Sequence, residues 1–263
     1  WTNWNFSDDW RSGAVLKSGT CSDGPWTGTS LKESGQLVFE WIRDTQTPKN
    51  DKIVVGYFPA WGIYYDYFVK DIDPSKITHI NYAFINVKNN QPVIGVTERN
   101  VGDAWADYQR TISAAESVDG VADTWDQALK GNWNQLRKLK AKNPHIKVLA
   151  ALGGWTWSSG FSDAALPENR AAFVADFIDK LILGNIPYDA NSNTGGTGSA
   201  AGVFDGIDID WEYPVCCGLG SNYRPQDKQN YTALLAEFRS QLDQIDPELL
   251  LTIAAPAGPH NIV

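Results

Sequence analysis

Phe204–Pro214, FDGIDIDWEYP, sets Asp205, Asp208, Asp210 and Glu212 inside a run otherwise rich in Phe, Ile and Trp. Burying a carboxylate is costly unless it is paired or hydrogen-bonded, and a strand covered on both faces reads as a continuous apolar run. Acids inside one therefore need a reason. Side chains of an extended segment alternate, so Asp208, Asp210 and Glu212 share one face and Ile207, Ile209 and Trp211 the other. Successive carboxyls on that face stand about 6–7 Å apart. At least one of the three is expected to hold its proton near neutral pH. A carboxylic acid protonated at its working pH is what acid-catalysed cleavage of an acetal requires. A calcium loop would need glycine and oxygen ligands at turn spacing. A solvated edge strand would not place Phe204, Ile207, Ile209 and Trp211 on its other face.

Around this stretch, from Lys52 onward, apolar runs alternate with helical patterns. Strands are predicted over Ile53–Pro59, Thr78–Val87, Ile146–Leu152, Val203–Trp211 and Leu250–Ala254. Helices are predicted over Asn132–Lys142, carrying Leu136 and Leu139 on one face, and over Glu168–Leu183, with Ala171, Val174, Ala175, Ile178 and Ile182 at helical spacing. A third covers Asp227–Ile245, with Tyr231, Leu234, Leu235, Phe238 and Leu242. Strands alternating with helices imply βαβ units, and without a glycine-rich phosphate loop they favour a (β/α) barrel over a nucleotide-binding sheet. Chemistry in barrels sits at the C-terminal ends of strands, where Glu212 lies just before Tyr213–Pro214. The long excursion Lys88–Asp126 is expected to build a substrate surface. The Gly/Ser/Asn-rich segment Asp189–Gly202 reads as a flexible surface loop. Residues 1–50 are polar and turn-rich, with Trp1, Trp4, Trp10, Trp26 and Trp41 and one strand-like run, Leu37–Trp41; they read as an extension or partial β-module.

The bulk numbers narrow the partners. The 263 residues carry a formal net charge of −9, which argues against nucleic acid or an anionic membrane and suits a neutral substrate. No apolar run reaches the ~18 residues of a membrane span. Residue 1 is Trp, which suggests a processed or trimmed product. The chain holds 12 Trp, enough for both core packing and flat platforms for sugar rings. His79, His145 and His260 are scattered, and Cys21, Cys216 and Cys217 have no metal-ligand spacing, so no metal or organic cofactor is expected. Adjacent Cys216 and Cys217 are not expected to bridge each other, whereas one could pair with Cys21 in an extracellular protein.

FDGIDIDWEYP fits the DxxDxDxE signature of glycoside hydrolase family 18, the chitinases. The resemblance extends through VVGYFPAW (Val54–Trp61), THINYAFINV (Thr78–Val87), the stretches Gly120–Pro144 and Lys147–Ala165, and Arg224–Gly258. It covers roughly residues 52–263 and is most similar to bacterial members. It implies an α/β fold, the (β/α)8 TIM barrel, of which this chain would supply about the first five strand–helix units as a catalytic domain over 51–263. It also implies a secreted enzyme that cleaves β-1,4 links of chitin or chito-oligosaccharides with retention. In that scheme Glu212 protonates the glycosidic oxygen and the substrate's own 2-acetamido carbonyl attacks. Asp210 orients that group, and Asp208 shares a proton with Asp210. Asp205, out of phase, would serve the fold. Tyr57, Phe84, Gly154, Trp155 and Tyr213 are expected to bind substrate, with Trp61, Trp125 and Trp157 as candidate outer platforms.

The sequence departs from the family's pattern twice. The family usually has Ser-x-Gly-Gly on the third strand, where the Ser donates to the acid row; this chain has Ala151, which is expected to alter the proton sharing. The family's later Tyr–Asp pair and central Trp cannot be assigned, so the chain is expected to belong to a longer polypeptide. A lectin-like relative that has lost catalysis and a hydrolase of N-glycan cores are the alternatives. Glu212 favours an enzyme over the first, and the excursion and Trp content favour a polymer cleft over the second.

Overall fold

The computed structural model describes residues 52–219 and 222–255. The readings of residues 1–50, including Cys21 and Leu37–Trp41, lie outside these. Five strands, β1 (Val55–Pro59), β2 (His79–Ile85), β3 (Lys147–Gly153), β4 (Gly206–Asp210) and β5 (Leu250–Ile253), form one sheet in the order β1-β2-β3-β4-β5. Spatial order follows chain order, the winding of a (β/α) barrel; a doubly wound sheet would reverse direction part-way. β4 runs parallel to both neighbours, with Asp208 level with Ala151 on β3 and with Thr252 on β5.

The chain divides into two compact units. In the smaller, which among the described residues holds 52–57 and 73–79, Thr78 Oγ1 accepts from Val54 N at 2.8 Å and donates to Val54 O at 3.0 Å. The larger holds Phe58–Ile72 and the chain from Ile80 onward. Its longer helices are α1 (Gly131–Lys142), α2 (Pro167–Leu181) and α3 (Asp227–Asp243). α2 starts on Pro167, whose missing N–H costs nothing at a helix start, and carries Glu168 in its first turn and Lys180 in its last, matching the helix dipole. Its buried stripe is Phe173, Val174, Phe177, Ile178 and Leu181. Ala171 and Ala175, expected on the inner face, are exposed: the two Phe rings turn the helix so that they meet Phe238 of α3 edge-on at 6.0 and 5.8 Å. None of the helices among the described residues is long and apolar enough to cross a membrane.

Two further expectations are corrected. Asp189–Gly202 is not a free surface loop. Thr194–Gly196 pairs antiparallel with Ile186–Asp189, Thr194 and Ala200 are fully buried, and Gly195 N donates to Ala128 O at 2.7 Å. Its polar composition reflects turns closed by local side chains, as where Asp189 accepts from Ser192 N and Oγ. Cys216 and Cys217 do bridge each other. Their Cα atoms are only 3.7 Å apart, as adjacency dictates, and left-handed backbone at Val215 and Cys217 (φ 75° and 73°) turns the chain around the closed ring.

The excursion after β2 is folded, with two short hairpins, Val87–Lys88 with Gln91–Pro92 and Thr97–Glu98 with Gly102–Asp103. A buried carboxylate, Asp123, pins it to α1 by accepting from Ile112 N, Gln127 Nε2 and Asn134 Nδ2 at 2.8–2.9 Å. A second acid of the excursion, Asp107, is also buried. Tyr82 Oη donates to Asp107 at 2.6 Å, while Asn132 Nδ2 donates to that Tyr oxygen and to Ala60 O.

Candidate active site

β4 realises the alternation of its sequence. Ile207 and Ile209 are fully buried on one face, and Trp211 continues that face, wedged between Phe161 (5.4 Å, stacked) and Tyr231 of α3 (5.2 Å, edge-on). The opposite face carries Asp208 and Asp210, 1% and 3% exposed. The strand ends at Asp210, so Glu212 stands just beyond it, half-buried. Burial pushes the Glu212 carboxyl above the ordinary Glu range, against a hydrogen bond with Tyr213 that favours the carboxylate. Burial and the Glu212 charge raise the Tyr213 phenol in turn. Asp208 accepts from Thr252 Oγ1 at 2.5 Å. Asp205 sits below the row: its Oδ2 accepts from Val148 N at 2.8 Å and pairs with Lys140 at 2.8 Å, and its main chain bonds to Val148 and Leu250. That is a fold-holding arrangement.

One hydroxyl that sequence reasoning passed over organises the end of β4. Ser158 Oγ lies 2.8 Å from both Gly154 O and Asp210 O and accepts from Glu212 N at 2.9 Å. It ties the turn after β3 to the backbone of the acid. A Ser three residues past an aromatic carries no spacing signal of its own.

The turn after β3 depends on two glycines. Gly153 and Gly154 have φ of 89° and 70°, and a Cβ would sit 2.6 Å from Asp210 O at the first and 2.8 Å from Phe84 Cζ at the second. Gly154 therefore brings Phe84 of β2 against the turn that presents Trp155. Trp155 is 37% exposed and meets Tyr213 edge-on at 6.5 Å. Phe84 stacks with Trp61 at 6.3 Å. Phe84, Gly154, Trp155 and Tyr213 are thus linked into one rim beside Glu212. The peptide bonds Ala83–Phe84 and Glu212–Tyr213 are cis. Tyr57 is half-buried on β1, in the smaller unit. Of the outer candidates, Trp125 is 60% exposed with Lys130 Nζ 4.8 Å from its ring centre, whereas Trp157 donates from Nε1 to Asn100 O at 3.0 Å. Among the described residues no group of three or more His, Cys, Asp or Glu is arranged to hold a metal ion.

Parallel strands in winding order, with acids at the C-terminal end of the fourth, are the arrangement of a (β/α) barrel with its site at the strand ends. Residues 53–263 match the model of Glycosyl hydrolases family 18, and the chain belongs to that family. It is 44% identical over 211 residues to Chitinase C of Streptomyces lividans, an alignment covering 78% of this chain and 30% of that protein. It is 39% identical to Chitinase A1 of Niallia circulans, with the same shares covered. The catalytic domain of psychrophilic chitinase B from Arthrobacter TAD20 superposes with a TM-score of 0.74 at 44% identity, covering 79% of this chain and 53% of that one. An Ostrinia furnacalis Group IV chitinase solved in complex with allosamidin superposes at 0.51 with 29% identity, covering 80% of this chain and 45% of that one. The chain thus spans under a third of the length of these curated relatives and about half of the solved structures.

Proposed function

We propose that this chain carries the acid centre of a secreted chitinase that cleaves β-1,4 links between N-acetylglucosamine units with retention of configuration. The observation that carries the reading is Glu212: a half-buried carboxyl with a raised pKa at the end of β4, next to two buried aspartates on the strand's inner face. Held protonated, Glu212 donates to the glycosidic oxygen as the C1–O bond breaks. The substrate's 2-acetamido oxygen attacks C1 and closes an oxazolinium ion, which Asp210 orients and stabilises. Glu212, now a carboxylate, takes a proton from the water that reopens the ring. Asp208 and Asp210 share a proton, because two close carboxyls do not both ionise cheaply. Trp155, Tyr213, Phe84 and Gly154 would line the sugar site, with Trp61 and Trp125 as outer platforms for sugar rings. The names of the relatives support the substrate class.

Glu212→Gln tests the reading. Cleavage of a chitin oligomer should fall at least about a thousandfold while binding persists. Turnover within tenfold of the parent would show the acid to be misassigned. Proton NMR taken directly after cleavage should show the β anomer first; an initial α anomer would exclude the oxazolinium route.

A further inference from the structure

Asp208 is flanked in register by two different chemistries. On β3 its neighbour is Ala151, fully buried, whose methyl group has no proton to give. On β5 its neighbour is Thr252, whose Oγ1 donates to Asp208 Oδ1 at 2.5 Å. Parallel strands lie about 4.8 Å apart, so only side chains on these two strands can reach Asp208 sideways within the sheet. Asp210 lies two residues along β4 on the same face as Asp208, and Tyr231 on α3, packed against Trp211 on the strand's other face, has its phenol raised by burial and then by the charges of both aspartates.

We propose that Thr252 is a positioning residue for the reaction, holding Asp208 in its ionised form from the side opposite the methyl of Ala151. The inference rests on the chitinase reading of the site. A hydroxyl donating to a carboxylate oxygen favours the charged form. The donation therefore leaves the proton shared by the pair on Asp210, the member that meets the acetamido group. In this chain a donor to Asp208 stands on the fifth strand, while the third carries Ala151 where the family pattern puts a Ser.

Thr252→Val keeps the shape and removes the donor; Thr252→Ser keeps the donor. In Thr252→Val, kcat should fall roughly tenfold to a hundredfold, the loss expected for a hydrogen bond to a charged group, with KM changed by less than about threefold. The acidic limb of the kcat/KM profile should move to higher pH. Thr252→Ser should restore both. A kcat within about twofold of the parent and an unmoved limb in Thr252→Val would overturn the proposal, as would a Ser variant no better than the Val variant. A carboxyl carbon NMR titration of the parent and Thr252→Val reads the same effect without turnover: the Asp208 carboxyl should titrate higher in the variant, and identical curves would overturn the assignment. Should the parent lack chitinase activity, the function reading fails while this titration still decides the role of Thr252.

Discussion

At the scale of single residues, the acid is tuned by two opposing contacts, and each can be removed. Burial raises Glu212, and the hydrogen bond from Tyr213 pulls it back down. Tyr213→Phe removes the second influence only. The raised acid then keeps its proton to still higher pH, so the alkaline limb of kcat/KM should move upward; a limb that moves down or stays would show that Tyr213 does not act on the proton. Ser158→Ala removes a hydroxyl shared by three backbone groups around the acid. Glu212 N and the two carbonyls lose that partner, at a cost of about 1–3 kcal/mol in unfolding free energy, with a fall in kcat from the loosened acid. Equal denaturation midpoints would show that water replaces the hydroxyl. The strand phase that buries Asp208 and Asp210 on one face was legible, because acids alternating with large apolar side chains allow one strand phase. Ser158 and Thr252 were not, because a single hydroxyl gains its meaning only from a partner more than forty residues away in the chain.

At the scale of elements, the strands of the sheet were readable to within a few residues, because apolar runs bounded by polar turns admit little else. Register was not: Asp208 lying between Ala151 and Thr252 is fixed by pairing, which no local pattern encodes. Helix α2 was found but rotated, since periodicity located small Ala residues whose burial contributes less than that of Phe173 and Phe177. Composition misread Asp189–Gly202, where polar residues close turns around the buried Thr194 and Ala200. The Cys216–Cys217 ring was likewise missed, because it depends on left-handed backbone at non-glycine positions. The turn after β3 is the element where fold and site meet. Gly154→Ala forces a Cβ against Phe84 at a left-handed φ. It should cost about 1–3 kcal/mol in stability, and it should raise KM for a chitin oligomer by displacing Phe84 and Trp155. An unchanged KM would detach Phe84 from the sugar site.

For the molecule as a whole, a buried acid that has no part in the proposed reaction makes stability depend on pH. Asp107 is 6% exposed, and burial raises its carboxyl to about 8 against the donation from Tyr82. In the unfolded chain the same group titrates near 4. The folded state therefore keeps a proton that the unfolded state releases as pH rises above about 4. The stability tied to that proton is complete below this value, declines as pH climbs towards 8, and is lost once the folded carboxyl itself ionises. Asp107→Asn retains an oxygen to accept from Tyr82 and cannot ionise. The difference in unfolding free energy between parent and variant cancels every other titrating group common to both. Between pH 4 and pH 8 that difference should shift in favour of the variant by an amount on the order of a few kcal/mol, as the pKa gap implies. A difference that stays flat across the range would mean that Asp107 is already charged in the fold, held there by the Tyr82 hydroxyl, and that the buried cluster around it is an ionic anchor.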